Sequence, residues 1–148
     1  MKKEVADIKQ GIPVKVHLAT SMTIDGNSDH FEFDEEGELL HMAADHHFLR
    51  YTEHQQGQAT PVQIAMNGDQ VRLIRKGPRQ TKLLFIENGE TISKYQTEYG
   101  MIPLHVICDR LIQELDAENN QGQLEVHYRL KNNGQTLGTY RIKLQFES

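Results

Sequence analysis

The stretch DHHFLRYTEH, residues 45–54, gathers three of the chain's eight histidines with two acids, an arginine and a tyrosine in ten positions. Side chains of these types can ligate a metal, move protons or orient a ligand, and their spacing decides which. On a β-strand successive side chains alternate between faces, so Asp45, His47, Leu49, Tyr51 and Glu53 face one way and His46, Phe48, Arg50, Thr52 and His54 the other. At roughly 3.3 Å per residue His46 and His54 stand about 26 Å apart, too far to hold one ion. Asp45 and His47 share a face, but two ligands fall short of the four a structural zinc takes. The stretch therefore reads as a strand carrying solvated histidines, with no metal or cofactor expected.

The face of Glu53 carries more information. Leu49 and Tyr51 look like core residues, yet an acid follows them on the same face, and in QVRLIRKG the series Val71, Leu73, Arg75 repeats the pattern of two apolar residues and a charge. Tyr95 and Thr97 share a face in SKYQTEYG. If these faces line one interior, Tyr51, Glu53, Arg75, Tyr95 and Thr97 converge near one end of a mostly apolar lumen. Pockets that orient small ligands have this composition, apolar walls with a few placed polar groups. A structural account fits the same residues: a buried Glu53 needs a partner, and Arg75 supplies one.

Other chemistry finds less support. The chain has no phosphate-binding glycine loop, nucleophile elbow, zinc-protease helix or paired-cysteine motif, and no catalytic residue is assigned. Cys108 and His105 lie three residues apart, on opposite faces of a strand, and Glu35-Glu36 beside Gly37 reads as an exposed acidic loop. The expected activity is thus binding of a small apolar or amphipathic molecule in the lumen, without catalysis. The alternative is a packed module acting through its surface on a protein or nucleic acid. VRLIRKGPRQTK, with five basic residues and no acid, offers Arg75, Lys76, Arg79 and Lys82 on a hairpin over residues 75–82. It lacks aromatic residues for base stacking, and a net charge of −5 argues against a general phosphate binder.

The elements that must position these residues are strands. From Gly11 onward apolar residues alternate at period two: Ile12, Val14, Val16 and Leu18 in the first run, Leu124, Val126, Tyr128 and Leu130, then Tyr140, Ile142, Leu144 and Phe146 near the carboxyl end. DGNSD, residues 25–29, supplies turn residue types, and a strand interrupted or bent near Glu36-Gly37 follows. Asn67-Gly68 and Asn88-Gly89 between alternating runs predict hairpins, and KNNGQTLG predicts a third. Residues 101–118 are ambiguous. Leu104, Ile107, Cys108, Leu111, Ile112 and Leu115 fall at helical spacing, whereas alternation of Ile102, Leu104, Val106 and Cys108 favours a strand ending in a helical turn.

About eight to ten strands joined by tight turns in 148 residues predict one domain over residues 1–148, an antiparallel up-and-down β-barrel, with a two-sheet sandwich as the alternative. The basic start MKKEVADIKQG lacks an apolar signal region, no run is long enough for a membrane helix, and the single cysteine excludes an internal disulfide. These features imply a cytoplasmic protein with no bilayer partner.

YTE at 51–53, LIRKG at 73–77, LLF at 83–85, YQTEYG at 95–100 and LEVHYRL at 124–130 together resemble the uncharacterised bacterial YwiB-type family. The resemblance covers most of the chain after residue 45 and little before it beyond the first strand. It implies a lipocalin-like, or calycin-like, β-barrel and carries no catalytic residues, because the family's known content is its fold. Small-molecule binding by such barrels is an analogy of fold alone.

Overall fold

A computed structural model describes residues 11–43, 45–55, 57–77 and 80–148. Ten strands follow in chain order: β1 (Ile12–Ile24), β2 (Asn27–Ala43), β3 (His46–Gln55), β4 (Gln58–Asn67), β5 (Gln70–Lys76), β6 (Gln80–Ile86), β7 (Glu90–Thr97), β8 (Gly100–Asp116), β9 (Gln121–Asn132) and β10 (Gln135–Glu147). They form one antiparallel sheet in the order β6-β5-β4-β3-β2-β1-β10-β9-β8-β7. Every ladder but β1 with β10 joins consecutive strands, which is the up-and-down order, and the sheet curls into a near-closed barrel.

The alternating apolar residues fill the interior. Val14, Val16, Leu18, Leu124, Val126, Tyr128, Ile142, Leu144 and Phe146 are all buried, with Leu39, Leu49 and Leu144 fully removed from solvent. Cross-strand pairs such as Val126↔Ile142 and Leu124↔Leu144 bring like faces together. Turn chemistry sets the register. Asp25-Gly26 (φ 51° and 79°) and Asn133-Gly134 (φ 53° and 77°) each occupy the two central positions between paired residues, the positive-φ geometry that matches the twist of a hairpin.

Three sequence expectations are corrected. β2 runs unbroken through Glu36-Gly37. Glycine is needed there because neighbouring strands crowd the site: a Cβ on Gly37 would sit 2.6 Å from the Arg50 carbonyl oxygen. Residues 101–118 contain no helical turn within β8; the register shift between Cys108 and Arg110 moves the buried series from Leu104, Val106, Cys108 to Leu111, and this bulge produces the i, i+3 spacing. Asn88-Gly89 forms a turn, closed by Gly89 N–H donating to the Ile86 carbonyl at 2.8 Å, but β6 and β7 form no backbone ladder.

The barrel closes at that seam through side chains. The Thr91 hydroxyl donates to the Leu84 carbonyl at 2.6 Å and the Ser93 hydroxyl to the Lys82 carbonyl at 2.5 Å. Hydroxyls thus satisfy carbonyls that a neighbouring strand would otherwise pair.

Candidate functional site

In an up-and-down sheet alternate turns lie at opposite ends. The turns β1–β2, β3–β4, β5–β6, β7–β8 and β9–β10 mark one end, and there a cavity of about 390 Å³ opens into the lumen. Its deep wall is apolar, including Ile64, Val71, Leu83, Leu104 and Val126. Aromatic rings form one side: Tyr128 and Tyr140 stack with centroids 4.9 Å apart, and Phe85 lies 4.7 Å from Tyr128. Larger grooves of about 830 and 690 Å³ lie elsewhere, but no ionisable group lining them is as buried as Glu53.

Glu53, near the end of β3, is only 2% exposed and faces this cavity. The Tyr51 hydroxyl donates to its Oε2 at 3.2 Å. Arg75, next to last on β5, brings Nη2 within 2.6 Å of Oε1. Among the described residues no N–H is aligned on Oε1, which is buried and held by that ionic contact. Burial, followed by the Glu53 carboxylate, pushes the Tyr51 phenol well above its ordinary pKa, so its proton stays available to Glu53. Burial likewise raises Tyr128.

Of the five residues expected to surround a ligand, four line the cavity: Tyr51, Glu53, Arg75 and Tyr95. Thr97 does not. Its hydroxyl donates to the Gly100 carbonyl at 2.7 Å and accepts from Tyr99 N–H at 3.1 Å, which ties it into the β7–β8 turn. Thr20, Thr81 and Ser93 line the cavity and were not singled out, nor was the aromatic wall.

The opening histidine stretch divides. His46 is exposed, and His54 is held by Glu35, whose Oε2 accepts from His54 N–H at 2.7 Å and whose Oε1 lies 3.0 Å from Nδ1. Glu35 is therefore part of β2, not of an exposed loop; the β2–β3 ladder stops at Gly37↔Tyr51 and its carboxylate spans the gap beyond. His47 is buried, contrary to the expectation of a solvated strand histidine. Its Nδ1 lies 2.8 Å from Nδ1 of His41, and His41 Nε2 lies 3.0 Å from Asn120 Oδ1. With Oδ1 accepting from Nε2–H, a neutral His41 accepts from His47. Among the described residues no three of His, Cys, Asp and Glu gather as metal ligands.

Cys108 is buried in the core, and burial pushes its thiol up, away from the reactive thiolate. His105 instead contacts Glu90, at 2.7 Å. On the basic hairpin, Lys76 and Lys82 are exposed and Arg75 turns to Glu53, while Arg79 lies outside the described residues.

The comparisons with known proteins agree with this architecture. The chain is 24% identical over 121 residues, 82% of its length, to the uncharacterized beta-barrel protein YwiB of Bacillus subtilis (strain 168), of which the match covers 83%. The crystal structure of that organism's ywiB protein superposes with a TM-score of 0.79 at 19% identity, covering 98% of this chain and 97% of the other, which establishes a shared fold. The relationship is distant, and it reaches into the amino-terminal strands, where the sequence motifs gave little. A family model described as a domain of unknown function, DUF1934, matches residues 16–144, and the chain belongs to that family of YwiB-like β-barrel proteins.

Proposed function

We propose that this barrel is a non-enzymatic binder of a small amphipathic molecule held in the lumen. The observation that carries the reading is a cavity of about 390 Å³ whose mainly apolar wall ends at the Glu53–Arg75 ion pair. The cavity volume falls in the range of about 300–1,000 Å³ typical of small-molecule sites. Its walls are mainly aliphatic and aromatic, and its polar groups sit at the mouth, where Arg75 is 39% exposed.

Native mass spectrometry of gently purified protein, set against the denatured mass of the same sample, tests this. A reproducible added mass is expected, and it should disappear in Glu53→Leu. A bare mass that persists after incubation with lipid extract, with no shift in melting temperature, would overturn the reading.

A further inference from the structure

We propose that the outer face of β7 and β8 docks a second copy of this chain, related by a twofold axis that crosses the strands at Ile92. Among the described residues the three most exposed large apolar side chains are Ile92, Tyr99 and Met101, at 62%, 94% and 55%. They fall on β7, in the turn after it and at the start of β8. Ser93 and Leu104 are buried, so alternation turns Ile92 on β7 and Pro103 and His105 on β8 outward. β7 is also the strand with least support. Its backbone ladder is with β8 alone, and hydroxyl-to-carbonyl bonds from Thr91 and Ser93 tie it to β6.

The charges on this face name the occupant. Three rungs follow one another across the two strands: Glu90↔Ile107, Ile92↔His105 and Lys94↔Pro103. Glu90 and Lys94 thus flank Ile92 at equal distance with opposite sign. A twofold axis through the middle rung lays the two faces together with strands reversed, within the roughly 30° that stacked sheets adopt. Ile92 then meets the partner's Ile92, and Ile107 meets the partner's Pro103. Glu90 meets the partner's Lys94, and this ion pair forms twice. His105 meets the partner's His105, each held against its own Glu90 at 2.7 Å. The face is about 26 Å long and roughly 10 Å wide, below the ~800 Å² per partner of a standard interface, so the dimer is weak, with Kd on the order of 10 μM. The net charge of −5 opposes association. At about 0.15 M salt that repulsion is screened beyond roughly 8 Å, and the contacting pairs are not.

Sedimentation velocity of the full chain at pH 7, over about 1–300 μM, is the test. Wild type is expected to pass from the 17.0 kDa monomer to twice that mass as concentration rises. Glu90→Lys and Lys94→Glu each set like charges against each other twice, so each alone should weaken the dimer about tenfold or more. Mixing the two variants restores both opposite-charge pairs, and the mixture should dimerise as wild type does. Ile92→Lys should leave a monomer with an unchanged melting temperature, since Ile92 is exposed in the single chain. A wild-type monomer throughout the range would overturn self-docking and leave the face to a different protein. Dimers of Lys94→Glu or Ile92→Lys as tight as wild type would place the interface elsewhere and overturn the proposal as well.

Discussion

At the end of the barrel where β2 turns into β3 and β8 into β9, inward polar groups find one another. His47 meets His41, His41 meets Asn120 across the end, and Gln113 Nε2 donates to the Gly68 carbonyl of the β4–β5 turn at 2.6 Å. Leu39, Leu49 and Leu144 pack behind them with no exposure. At the opposite end the inward polar groups include Tyr51, Glu53 and Arg75, which pair with one another beside an open cavity. The contrast teaches that polar residues inside a barrel have two uses. At one end they tie packed strands together, and at the other they border space that the neighbouring side chains do not fill.

The largest effect that would sharpen this contrast concerns packing. Leu144→Ala, at the locked end, should lose about 3–5 kcal/mol of unfolding free energy in urea titration, because full burial adds a cavity penalty to the lost transfer energy. Leu83→Ala, on the cavity wall, should lose nearer 2 kcal/mol, since part of its surface already borders empty space. Equal losses would mean that both ends are packed alike, and the comparison would fail.

A second prediction uses alkaline pH. Burial raises Tyr51 and Tyr128 above the ordinary tyrosine value near 10, so the unfolded chain ionises before the folded one. Their stabilisation is complete below about pH 10 and declines as pH rises through and beyond that value. Each phenol that stays protonated should cost about 1.4 kcal/mol of stability by pH 11, or about 3 kcal/mol for the two. Absorbance at 295 nm should show part of the tyrosine signal appearing only with unfolding. Ionisation of all five tyrosines near pH 10 in the folded state would show water reaching both rings and would break the account of a poorly solvated cavity.

Much of this was legible from period and residue type. An acid or arginine closing an apolar alternation placed Glu53 and Arg75 correctly, because strand geometry fixes which face a residue takes. Thr97 misled because the same rule cannot separate the last inward position of a strand from the first of a turn, and its hydroxyl serves the turn. Phe85, Tyr128 and Tyr140 were readable as interior but not as a cavity wall, since alternation says which face is inward and not whether that space is filled. The His41–His47 contact was hidden by the register shift between His41 and Ala43, which no single-strand pattern reveals. The β6–β7 seam was hidden for another reason: Asn88-Gly89 makes its turn whether or not the strands beyond it pair.

The smallest predicted effect isolates the tie across the locked end. Asn120 holds φ at 51° and accepts from His41, so two contributions must be separated. Asn120→Gly removes the side-chain hydrogen bond while relieving the Cβ at positive φ, so it should cost about 1 kcal/mol more than the same exchange at a left-handed asparagine that makes no such bond. Asn120→Ala removes the bond and also the polar side chain that makes the left-handed conformation tolerable for a residue with a Cβ, so its loss should reach about 2 kcal/mol. The matching test at the cavity end is Asn133→Gly, at φ 53°, where no side-chain hydrogen bond is found among the described residues and the exchange should be neutral within about 0.5 kcal/mol. If Asn120→Gly is as neutral as Asn133→Gly, the histidine bridge contributes nothing to holding that end. The difference between the ends would then rest on apolar packing alone, which the Leu144 and Leu83 pair measures independently.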